Sequence, residues 1–157
     1  LMISMRFLDR ALFRMPLVAA DSVAAFGVDG ATMYYNPEYV LHAFKREKNA
    51  CTRAFLHMIL HCIFSHPFQY EKLDRECWDL ATDLAVEQSI LDLNLKCVEL
   101  ERDASLKRTL SHLAQKVPIL TAEKIYRWLY ENPEESAEFF REEPQFMWDD
   151  HLKWIPF

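Results

Sequence analysis

Phe55-Leu56-His57-Met58-Ile59-Leu60-His61-Cys62-Ile63-Phe64-Ser65-His66-Pro67 is the stretch around which the rest of the chain arranges itself. From Cys51 to Phe64 apolar residues go almost all the way round a helical wheel, which predicts a central, buried helix. Pro67 pushes the residue before it out of the helical region, so the helix should stop at Ser65-His66. Inside this apolar run stand His57 and His61, four residues apart. Their imidazoles must project from one face about one turn apart. Two imidazoles in such a setting must each find a partner or carry a desolvation cost of about 1–3 kcal/mol.

Downstream, a second long helix is expected from about Asp74 to Leu91, with Trp78, Ala81, Leu84, Ala85 and Leu91 on its core side. Asp79, Asp83 and Glu87 fall together on another face. Two readings of the histidines follow. In one, His57 and His61 are core polar residues satisfied by backbone carbonyls or by Asp83 and Glu87. In the other they hold a divalent metal, since two histidines at i, i+4 on one helix face are the ligand geometry of a zincin helix. A carboxylate from the second helix would then complete the site, with Asp83 and Glu87, one turn apart, positioned as the donor pair. His66, at i+9 from His57, would face the opposite side of a continued helix, so only the break at Pro67 brings it round.

The remaining segments read as mainly α, in the α+β class. With only 2 glycines in 157 residues, the turns of an all-β fold and the tight joints of a doubly wound one are hard to build. Both glycines sit in Gly27-Val28-Asp29-Gly30, so no glycine-rich phosphate loop can be written anywhere. Asp29-Gly30, followed by Ala31-Thr32-Met33-Tyr34-Tyr35, predicts a β-hairpin. Asn36-Pro37-Glu38 reads as cap, first helical residue and favourable carboxylate of a helix running to about Glu47. Further helices are expected over Met5–Met15, Leu17–Phe26, Ala104–Gln115, Thr121–Tyr130 (capped by Thr121) and Pro133–Glu142, before an irregular aromatic tail. Residues 1–157 carry no repeat and no linker, so they read as a single domain. An opening at Leu1 and an apolar close at Trp154-Ile155-Pro156-Phe157 read as a piece of a longer chain.

A net charge of -6 with scattered Lys and Arg argues against nucleic acid as the main partner. Cys51, Cys62, Cys77 and Cys97 show no C-x-x-C spacing and lie among apolar neighbours, which fits a reduced, cytoplasmic protein. No apolar run approaches the roughly 18–20 residues of a membrane helix, and no signal-peptide layout is visible.

The stretch Phe55–Pro67, followed by Trp78-Asp79-Leu80-Ala81-Thr82-Asp83-Leu84-Ala85-Val86-Glu87, resembles the putative metallopeptidase domain that precedes a von Willebrand factor A-like domain in bacterial predicted metal-dependent peptidases. That family resembles H-E-x-x-H-x-x-x-x-H followed by a Trp-led helix with an Ala-x-Asp core. The likeness extends to Asp29-Gly30-x-x-x-Tyr34-x-Asn36-Pro37, to Thr121-Ala122-Glu123-x-Ile125-Tyr126 and to Asp149-Asp150-His151-x-x-Trp154, covering most of the chain. It implies a zincin-like helical domain with a small β-hairpin beside the motif helix, and zinc as cofactor. His57 and His61 match the metal-binding histidines. His66 and Asp83 match the later His and Asp, one of which supplies the third ligand, and His151 is a further candidate from the tail. A downstream von Willebrand factor A-like domain and an AAA-type ATPase are the implied partners.

One position departs from the family. In a zincin the Glu after the first His takes a proton from the attacking water and later protonates the leaving amine. Here that residue is Met58, whose thioether can do neither. General acid–base catalysis is worth about 10²- to 10⁴-fold, so ordinary peptide hydrolysis is expected to be impaired. The alternatives are an active hydrolase using Glu87 or Asp83 as base, with His57, His61 and His66 on zinc, and a metal-free structural or interaction module.

Overall fold

The structure, a computed structural model, describes residues 14–69, 73–142, 149 and 151–154. Three short strands, β1 (Leu17–Ala19), β2 (Phe26–Val28) and β3 (Met33–Tyr35), precede six described helices. These are α1 (Pro37–Arg46), α2 (Ala50–Ile63), α3 (Arg75–Leu93), α4 (Asp103–Lys116), α5 (Ala122–Glu131) and α6 (Pro133–Glu142). Short 3₁₀ turns follow α2 (His66–Phe68) and α3 (Lys96–Val98), and another spans His151–Trp154. The fold is mainly α with a small sheet, as the composition predicts. Among the described residues no helix is long and apolar enough to cross a membrane. All four cysteines are free thiols.

The hairpin forms where Asp29-Gly30 predicts it. β2 pairs antiparallel with β3, Val28 opposite Met33, and the Asp29 carboxylate accepts the amides of Ala31 and Thr32 at 2.8 and 2.7 Å. Gly30 adopts φ +92°, and a Cβ there would come within 2.5 Å of the Phe68 ring tip. Phe68 is largely exposed and can move aside, so a Gly30→Ala variant should lose about 1–2 kcal/mol through backbone strain. Urea unfolding checks this; an unchanged midpoint would remove the strain argument.

The helix expected over Leu17–Phe26 does not form. β1 instead pairs parallel with β3, giving the order β1-β3-β2. The segment is about as long as the shortest marginal helix and its apolar spacing also suits a strand, so the open edge of the hairpin decides. Pro16 contributes by accepting the Met33 amide at 2.9 Å. The expected opening helix lies outside the described residues from Met5 to residue 13.

The other boundaries follow local chemistry. Asn36 caps α1 by accepting the amides of Glu38 and Tyr39. α2 ends at Ile63, and Ser65 beyond it takes a left-handed conformation, φ 61°, ahead of Pro67. Asp74 caps α3 through the Cys77 amide, and Asn94 closes it in the left-handed region. Thr121 stands at the start of α5, but its side chain makes no capping bond.

α3 lies between two apolar clusters. Val86 and Ile90 pack with Leu56, Met58 and Ile59 of α2 and with Val28 and Met33 of the sheet. Trp78, Ala81 and Leu84 pack with Leu110 and Leu113 of α4, Ile125 and Leu129 of α5, and Phe139 of α6. Between these clusters α3 also buries two carboxylates, Asp83 and Glu87. They meet the histidines of α2.

Candidate metal centre

His57 and His61 are fully buried on α2, and Asp83 and Glu87, one turn apart on α3, are buried opposite them. His57 Nε2 and His61 Nε2 approach to 2.7 Å. Asp83 Oδ1 lies 3.3 Å from the first and 3.2 Å from the second. Asp149 adds a fourth donor from the far end of the chain, with Oδ1 3.5 Å from His57 Nε2. It is placed there by a β-bridge between Phe26 on the edge of the sheet and Asp149. One ligand atom from each of His57, His61, Asp83 and Asp149 lies within 4.8 Å of all the others.

The outward nitrogens of both histidines are also partnered. His57 Nδ1 lies 2.8 Å from Glu87 Oε1, and Glu87 accepts a 2.6 Å bond from the Arg53 guanidinium. Arg53 is itself buried and donates to the Val98 carbonyl at 3.0 Å. His61 Nδ1 meets His66 Nδ1 at 3.0 Å. Held by its Nδ1, each ring presents Nε2 to the common focus, the arrangement that orients imidazoles in metal sites.

Charge makes the focus demanding. Burial opposes ionisation of Asp83 and Asp149, yet the facing imidazoles, His151 foremost, hold both carboxyls below the usual carboxylate range. Burial also opposes the charged form of His57, but Asp149, Asp83 and Glu87 outweigh it and its pKa stands well above the ordinary value. His61 is pushed down chiefly by burial, and His66, by burial and the neighbouring His61, to about 3. Two ionised carboxylates therefore share a buried point with imidazoles. That point calls for positive charge, from ring protons or from a cation.

A divalent ion fits this donor set. Ligands about 2.0–2.1 Å from a tetrahedral ion lie about 3.3–3.4 Å apart. The His–Asp separations of 3.2, 3.3 and 3.5 Å match that edge, while the His57–His61 pair is closer. Asp149 Oδ2 is buried with no hydrogen-bond partner among the described residues, leaving that carboxylate a free donor atom.

Of the residues singled out from sequence, the structure brings His57, His61 and Asp83 to one point. His66 is adjacent, but its Nδ1 faces the outward nitrogen of His61. Glu87 lies on the Nδ1 side of His57, tied to Arg53. His151 reaches the cluster, with Nε2 3.2 Å from Asp83 Oδ1 and 3.1 Å from Asp149 Oδ1. Asp149 went unnominated as a ligand because no helical spacing ties it to the motif. The one available signal was its place beside a histidine in Asp149-Asp150-His151. Met58 points into the apolar cluster shared by α2 and the sheet.

No curated protein and no solved structure matches the chain. A family model described as "Putative metallopeptidase domain" matches residues 2–146, a span that takes in the histidine helix, the carboxylate helix and everything between. A match of that extent, which takes in His57, His61 and Asp83 and ends just short of Asp149, shows that the chain belongs to the putative metallopeptidase domain family.

Proposed function

We propose that the chain is a zincin-like domain that holds zinc through His57, His61, Asp83 and Asp149, and that its ordinary peptidase chemistry is impaired. The observation that carries this is the convergence of two Nε2 and two Oδ1 atoms on one buried point, with both histidines held from behind. Two imidazoles and two carboxylates suit zinc among the common divalent ions. Bound there, zinc would supply a Lewis acid able to polarise a carbonyl and acidify water.

What this chain lacks is a group to manage the proton. Met58 stands in the motif position of the glutamate and is buried among apolar side chains. Glu87, the alternative base, is engaged by the Arg53 guanidinium and by His57 Nδ1, which favours a positioning role. Asp83 is engaged as a donor. Four protein donors with exposures of 5% or less leave the focus closed to solvent, as in structural rather than catalytic zinc sites.

Elemental analysis of protein purified without a metal-affinity tag tests the site. About one zinc per chain is expected in the wild type and none in His57→Ala/His61→Ala. No metal in either, even after incubation with zinc, would leave the metal-free module as the reading. The zinc-loaded chain should show no chelator-sensitive cleavage of casein. Cleavage that vanishes on chelation would overturn the impairment.

A further inference from the structure

His57 and His61 each present Nε2 to the cluster while Nδ1 is held by a partner. A third imidazole follows the same pattern. His151 Nε2 lies 3.1 Å from Asp149 Oδ1 and 3.2 Å from Asp83 Oδ1, the same two oxygens that face His57. Its Nδ1 lies 3.1 Å from Asp79 Oδ1, an ion-pair contact without hydrogen-bond geometry, on the side where His57 Nδ1 is hydrogen-bonded to Glu87 at 2.8 Å. The ring is buried and stacked on Trp154, centroids 3.8 Å apart and planes 19° from parallel, which fixes its plane. Asp79 is steadied on its outer side by Arg75, Nε to Oδ2 3.6 Å.

We propose that His151 is a third imidazole donor to the metal, a fifth protein ligand beside His57, His61, Asp83 and Asp149, and that Asp79 is the carboxylate that orients it. The inference rests on the reading of the cluster as a zinc site. It explains why α3 carries Asp79, Asp83 and Glu87 at successive four-residue steps. The middle carboxylate faces the focus, and the outer two lie beside the rear nitrogens, Glu87 hydrogen-bonded to His57 and Asp79 in ion-pair contact with His151. It also ties the turn at His151–Trp154 to the centre through two donors two residues apart, Asp149 and His151.

Zinc K-edge X-ray absorption on the full chain loaded with one equivalent of zinc counts the bound imidazoles directly. Three are expected in the wild type and two in His151→Ala. Two in the wild type, unchanged in His151→Ala, would overturn the role of His151 while leaving the cluster a zinc site. A wild-type count of two overturns it even if the variant fails to fold, and a count of three that drops to two in His66→Ala would give the third imidazole to His66 instead. Zinc bound equally by His57→Ala/His61→Ala would overturn the site itself, and this inference with it. Asp79→Asn should keep three imidazoles but bind zinc about 10- to 100-fold more weakly in competition with a chromophoric chelator. Wild-type affinity in that variant would remove Asp79 from the assignment.

Discussion

Stripping the metal with a chelator should lower the melting temperature by about 8–16 °C. The size follows from linkage. A ligand at 1,000 times its dissociation constant stabilises the folded state by about 4 kcal/mol, provided that it does not bind the unfolded chain. For a domain of this length each kcal/mol moves the midpoint by about 2–4 °C. The comparison is between chelated protein and protein held at that excess of free zinc, followed by scanning calorimetry. A midpoint that does not move would mean that nothing binds the native state selectively, and the cluster would then be a polar core.

Acid should narrow that difference. Histidines must be neutral and carboxylates ionised to bind a metal, so binding releases protons and weakens as pH falls. In the metal-free chain the raised pKa values of His57 and His151 act in the opposite sense. Their contribution to stability is fully present below about 6.5, the ordinary histidine value, and is lost as pH rises through the folded values. The gap between zinc-loaded and chelated protein should therefore widen above about pH 6.5.

Arg53→Ala should be the most damaging single truncation outside the donors. Arg53 is 1% exposed, and its guanidinium, together with the facing His57, holds the fully buried Glu87 ionised. Removing one partner of a buried pair leaves an uncompensated charge, at about 3–5 kcal/mol. On the same scale that is a fall of about 6–20 °C in melting temperature. The Val98 carbonyl would lose its donor as well. A double-mutant cycle with Glu87→Gln, run on chelated protein, isolates the cause. Neutralising Glu87 should relieve much of the cost of Arg53→Ala, so that the two changes are far from additive. Additive effects, or a loss under about 1 kcal/mol, would show that the pair carries no such charge burden.

Much of the centre was legible because it rests on local periodicity. His57 and His61 share a face because four residues make about one helical turn, and Asp79, Asp83 and Glu87 share one for the same reason. The apolar circumference of α2 showed that its histidines would be buried. The helix placed over Leu17–Phe26 failed for the converse reason. Short apolar runs satisfy two periods at once, and pairing with β3 is a long-range event that no local window contains.

By itself, then, the sequence determined the helical class, the hairpin at Asp29-Gly30 and the two faces that meet across α2 and α3. Spacing, proline and caps act within a few residues, and those interactions are readable in order along the chain. Tertiary structure alone decided that Asp149 joins a motif on α2, through a bridge to Phe26 that no periodicity encodes, and it brought His151, a candidate from the tail, to the same cluster. It also decided which way the ambiguous groups face, turning His66 toward the rear of His61 and giving Glu87 to Arg53. A buried charge takes whichever partner the packing brings within reach, and that partner lies wherever the chain returns in space.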